Sequence, residues 1–208
     1  LVFVTDDIAA EEVAVPYLEE HPDSEVSFVF SGVNGDPLKY SVVKSLEAPG
    51  AKITGTLERI PFNEGLDAGR RVFSPATRAV IFADDSISSR TVMDSFRRAA
   101  FAGATYPLEV VDFIQISTFE EWKQEVSAYE NRVDVIAIVN YHRIRDASGN
   151  IVQPKEVAKW TAENSTVPAF GLISDWSAEG LAMDVNVVAT FRPVTPELFT
   201  LHTESGKD

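Results

Sequence analysis

The chain has 208 residues, 45% of them hydrophobic, and a formal net charge of -14. That is enough apolar material for one large α/β domain or two modest lobes, and it excludes a disordered chain. The charge argues against nucleic acid or an anionic membrane as partner. The absence of cysteine excludes disulfides, cysteine nucleophiles and thiolate metal sites, and three histidines (His21, His142, His202) are too few for a multi-histidine centre.

In chain order, Leu1 to Val4 is a short strand that opens without an initiator Met, as if inside a lobe whose leader and early elements precede it. Thr5-Asp6-Asp7 reads as a helix start, because a Thr or Asp side chain can accept from the unpaired amides of a first turn. Ala9 to Glu20 follows as a helix that Pro16 must kink. Val26 to Phe30 is an apolar run of the buried parallel type and stops at Ser31-Gly-Val-Asn-Gly-Asp-Pro37, a candidate binding loop at a strand's carboxyl end. Leu38 to Leu46 reads as a short helix closed by Pro49-Gly50, and Ile53 to Thr56 as an extended segment. A break near Thr54 to Asn63 separates two units.

From Phe62 the alternation is clearer. Helices are expected over Phe62 to Phe73, Ser88 to Phe101, Thr118 to Tyr129 and Pro154 to Glu163, the third with Glu121 at capping-box spacing. Strands are expected over Arg78 to Ala83, Leu108 to Ile114, Val133 to Val139, Val167 to Ile173 and Leu181 to Ala189, with a turn at residues 145–150. Repeated βα alternation implies parallel sheets with helices on both faces.

Parallel strands collect their carboxyl ends on one rim, where ligands of open α/β sheets bind. The candidate ligand-binding residues are therefore Thr5, Asp6, Ser31, Asn34, Asp36, Asp84, Ser86, Ser88, Ser89, Asn140, Tyr141, Ser174, Asp175 and Trp176. Any one of the Asp and Ser residues is more often a helix cap, and Tyr141 and Trp176, which could stack on a flat ligand, are more often packing. Hydroxyls and amides before the helix at residue 88 suit an anion, while Asp84 and Asp85 suit an ammonium or hydroxyl group. An acid pair among Asp6, Asp84 and Asp175, or His142 with a nearby Ser, could be drawn as catalytic. No Gly-x-Ser-x-Gly, Walker, Gly-x-Gly-x-x-Gly or His-Glu-x-x-His motif supports that, and neither catalytic residue, metal nor cofactor is expected.

Phe28-Val-Phe-Ser-Gly-Val-Asn-Gly-Asp-Pro37, followed by Val43-Lys-Ser-Leu-Glu-Ala-Pro-Gly-Ala-Lys-Ile-Thr-Gly55, resembles the corresponding stretch of the ABC-transporter substrate-binding family that includes tryptophan- and tyrosine-type proteins. Arg78 to Ser89, Val133 to Asn140 and Val167-Pro-Ala-Phe-Gly171 resemble its later strands. The chain departs from the family around Ser86, where Asp85 and Ile87 stand in place of Pro and Glu. The resemblance implies a type I periplasmic-binding-protein fold with two lobes. Residues 1–55 would be a partial first lobe lacking its opening βα units, 56–190 the second lobe, and 191–208 a tail or return segment. It also implies an extracytoplasmic protein, periplasmic or lipid-anchored, that captures an amino acid or similar small molecule in an interlobe cleft for an ABC permease. The Asp-Asp pair after the first strand and the excursion at residues 145–150 resemble members fused to sensory kinases, which makes a ligand sensor the alternative. Free sheet edges in a truncated lobe would also allow a homodimer.

Overall fold

The computed structural model describes residues 1–50, 52–58 and 60–172 and the backbone of 192–193. These fall into two units that divide between residues 58 and 60, the short strand Arg192–Pro193 belonging to the first. The expected strand over Leu181 to Ala189 lies outside the described residues, as do Ser174, Asp175 and Trp176.

The first unit is a sheet of β1 (Val2–Thr5), β2 (Phe28–Val33) and β3 (Ile53–Leu57), all parallel, with the Arg192–Pro193 strand antiparallel on β3. One helical run covers one face. It consists of α1 (Asp6–Ala9), a π-helical segment (Ala10–Ala14) and α2 (Val15–Glu20). The π segment sits immediately ahead of Pro16, whose ring nitrogen cannot donate to the helical ladder, so the expected kink takes the form of a wide turn. Ala10, Ala14 and Leu18 pack there on Val4, Phe28, Phe30, Val33 and Ile53. Leu1 and Phe3, at alternate positions of the edge strand, are 71% and 72% exposed.

Two expectations are corrected here. The strand expected to end at Phe30 runs on through Ser31 and Gly32 to Val33; Gly32 takes φ +71 and the pairing to β3 shifts register at that point. The helix expected over Leu38 to Leu46 is a single 3-10 turn, Pro37–Lys39, after which Tyr40 turns extended at φ -81, ψ 124. Burial of Tyr40 and Val43 in the first core overrides the local propensity.

The second unit is built on a four-stranded parallel sheet in the order β5-β4-β6-β7, from β4 (Arg78–Asp84), β5 (Glu109–Ile116), β6 (Val135–Asn140) and β7 (Ala169–Gly171). Helices α3 (Phe62–Val72), α4 (Ile87–Phe101), α5 (Phe119–Tyr129) and α6 (Pro154–Asn164) clothe both faces. Alternation assigns the faces. Val80, Phe82, Ile136 and Ile138 pack with Trp122, Val126 and Val157 of α5 and α6, whereas Ala79, Ile81, Ala83 and Ala137 pack with Phe62, Leu66, Val92 and Phe96 of α3 and α4. The alanines leave room for the aromatics. Trp122 Nε1 donates to Thr161 Oγ1 at 2.8 Å, which satisfies a buried polar pair between α5 and α6. The expected capping box is present: Thr118 accepts from the Glu121 amide, and the Glu121 carboxylate accepts from the Thr118 amide.

Gly55 lies in β3 where an added Cβ would be 2.2 Å from the Phe30 carbonyl oxygen and 2.5 Å from its ring. Gly55→Ala must therefore push β2 from β3, and a loss of about 3 kcal/mol of unfolding free energy is expected in urea titration. A loss under about 0.5 kcal/mol would show that the two strands are not packed this closely.

Candidate functional site

The carboxyl ends of the parallel strands gather the polar side chains of each unit. In the first, Thr5 at the end of β1 is the register partner of Ser31, two residues before the end of β2. Asp6 follows at φ +72, a left-handed conformation that Asp adopts more readily than most side chains, and its Oδ1 accepts the Asp7 amide at 2.6 Å. Asp7 is thereby turned inward and is wholly buried. Its Oδ1 accepts the Gly35 amide at 2.9 Å, and its Oδ2 accepts the Asn34 amide at 3.1 Å and Asn34 Nδ2 at 3.4 Å. Asn34 Nδ2 also reaches Gly32 O at 3.1 Å and Glu58 Oε2 at 3.3 Å, while its buried Oδ1 has no hydrogen-bond partner among the described residues. Asp36, exposed, caps the 3-10 turn by accepting from the Leu38 amide.

Burial pushes the Asp7 carboxyl above its ordinary value, against the Asn34 and Gly35 amides and with help from the Asp6 charge. Burial likewise raises Glu58, opposed by Asn34 and reinforced by Asp6 and Asp7.

In the second unit Asp84 ends β4, wholly buried. Its Oδ1 accepts the Ser86 amide at 3.1 Å, the Ser86 hydroxyl at 2.6 Å and the Ser89 hydroxyl at 2.5 Å, and its Oδ2 accepts the Arg143 amide at 2.9 Å. Ser86 caps α4, its hydroxyl accepting from the Ser89 amide. Asp85 reaches sideways, accepting from Ser117 Oγ at 3.0 Å and pairing with Arg145 at 3.6 Å. Asn140 Oδ1 accepts the Tyr141 and His142 amides and so shapes the turn after β6. The loops after β4, β5 and β6 are thus tied to one another.

No protein-family model matches the chain, and no curated protein does either. Solved structures do match it. The ABC domain in complex with L-Trp from Streptococcus pneumonia is 18% identical over 89% of this chain and 59% of its own, with a TM-score of 0.60. A conserved domain protein from Vibrio cholerae is 17% identical over 86% and 55%, with a TM-score of 0.57. A solute binding protein of an ABC transporter from R. palustris, in complex with benzoate, is 14% identical over 86% and 46%, with a TM-score of 0.51. The fold is that of the type I periplasmic binding proteins. This chain spans 46% to 59% of the length of these neighbours.

Within that fold, Thr5, Asp6, Ser31 and Asn34 come together on the first unit's rim, and Asp84, Ser86, Ser88, Ser89 and Asn140 on the second's. Ser88 and Asn140 are partly exposed. Asp84 and Tyr141 are wholly buried, the first engaged by its own loop and the second packed among core aromatics including Trp122. Their observed contacts hold the rim in shape. Strand-end reasoning read Asp7 only as part of a helix start and Asp85 only beside Asp84, and it did not reach Glu58 or Ser117. The same rule, applied to β3 and β5 as it was to the other strands, points to Glu58 and Ser117; the depth of Asp7 depends on the backbone turn at Asp6, for which no pattern signals.

Asp84→Ala strands four donors in the interior and is expected to cost about 3 kcal/mol in urea titration, with a smaller loss for Asp84→Asn. For Glu58 the folded protein binds the proton more tightly than the unfolded chain, so its contribution to stability rises as pH falls through the raised value. Glu58→Gln should therefore raise the thermal midpoint at pH 7 and reduce the gain seen on lowering the pH to about 5. An unchanged pH profile would refute the effect of burial on Glu58.

Proposed function

We propose that the chain is the ligand-binding part of an extracytoplasmic solute-binding protein that captures a small molecule, an amino acid or an aromatic carboxylate, and delivers it to an ABC permease. The observation that carries this is the pair of polar rims at the carboxyl ends of the strands in both units of a binding-protein fold. The L-Trp and benzoate held by two of the similar structures support the ligand class. The candidate contact residues of this reading are Thr5, Ser31 and Asn34 on the first unit's rim and Ser88 and Asn140 on the second's, with Asp84 and Asn140 holding the second rim's turns. The activity is binding, with no bond made or broken.

In the same reading residues 1–55 belong to a partial first lobe. Its β1 edge carries exposed Leu1 and Phe3 with no Pro, Lys or bulge to protect it, a composition suited to a strand flanked on both sides rather than to a free edge. Further strands of the lobe would pair there.

The test is isothermal titration against amino acids that include L-tryptophan and aromatic carboxylates that include benzoate. One class should bind, stabilising the fold by about 2.7 kcal/mol at one hundred times its dissociation constant. Asn34→Ala and Ser88→Ala should each weaken it about tenfold. No binding by either class, or binding untouched by both substitutions, would overturn the reading.

A further inference from the structure

The Asn34 loop is held to its neighbour by a carboxylate, and its bearing on ligand binding rests on the proposed function, in which Asn34 is a contact. The loop's backbone is fastened to the β1–α1 turn through one carboxylate. The Gly35 amide points at Asp7 Oδ1, and the Asn34 amide and side-chain nitrogen point at Oδ2. Neither oxygen is spare. A proton on either one makes it a hydroxyl, a poorer acceptor, and adds a hydrogen that needs an acceptor of its own.

The surroundings favour that proton. Asp6 lies on the same turn, Glu58 follows β3, and Tyr40, beyond the 3-10 turn, feels the charges of Asp7 and Glu11. Glu11 on the π segment is matched by Lys39, but among the described residues no lysine or arginine pairs with Asp7 or Glu58. Asn34 Nδ2 has two hydrogens for three close acceptors, on Asp7, Gly32 and Glu58. We propose that Asp7 operates a proton-driven latch on the residue 34–36 loop: ionised, it holds Asn34 and Gly35 against the β1–α1 turn, and on taking up a proton it lets them go. Burial moves that event to a higher pH than an ordinary aspartate would show. A solute-binding protein built this way loosens one ligand contact in acid while its core stays folded.

Amide hydrogen exchange of the whole chain, corrected for the intrinsic pH dependence of exchange, tests this without any ligand. Between pH about 7 and about 4.5 the protection of Asn34 and Gly35 should fall about tenfold while that of Phe28 and Phe30 holds. Asp7→Asn should leave the two loop amides weakly protected at both pH values. Asp6→Asn, which removes the charge beside Asp7 and keeps a side chain that tolerates the left-handed backbone there, should move the fall to lower pH. Constant loop protection in the wild type, a fall shared with Phe28 and Phe30, a fall that persists in Asp7→Asn, or an unmoved midpoint in Asp6→Asn overturns the latch. Should Asp7→Asn not fold, the Asp6→Asn midpoint decides alone. The two readings fail separately, because exchange needs no ligand and binding at pH 7 does not need the latch to open.

Discussion

A carboxylate taken out of water must be met by donors on its oxygens, or it gives up its charge. Asp7 and Asp84 both sit wholly buried at the end of a strand, and each solves the problem with amides from a loop distant in sequence. Because the donors are backbone groups, meeting the carboxylate also fixes the loop. Asp84 binds the loop after β6 to the one after β4, and Asp7 binds the loop after β2 to the turn after β1. The rims exist in a defined shape because these two acids are buried.

The two acids are not equally well served. Asp84 has four donors, two of them serine hydroxyls that rotate to suit it. Asp7 has the amides of Asn34 and Gly35 and a long contact to Asn34 Nδ2, and it shares the amide group with Glu58. One site is more fully donated than the other, in units with different cores. The second sheet is covered on both faces by helix pairs and is apolar from Ala79 to Ala83 and from Val135 to Val139. Among the described residues the first has one helical run on one face and no strand paired outside β1.

The rims present hydroxyls, amides and a carboxamide. The buried acids are spent on the protein's own amides and hydroxyls, so their contribution is to geometry.

The sequence by itself determined the βα alternation, the helix start at Thr118 with its capping box, the helix after β4 to within two residues of its observed cap, and the polar residues at most strand ends. These depend on periodicity and on side chains that act within a few residues of themselves, so one chain segment contains the whole cause. The tertiary structure decided the rest. Whether Leu38 to Leu46 would be helix turned on the burial of Tyr40 and Val43 against a core assembled from β1, β2 and α2. Why Gly55 ends its motif depends on the Phe30 ring and carbonyl across the sheet. That Asp84 and Tyr141 face inward while Ser88 and Asn140 remain partly open, and that Asp7 and Glu58 share one asparagine, depends on contacts spanning from 24 to 59 residues of chain. Charge and burial are set by what the folded chain brings close, and no local pattern carries that information.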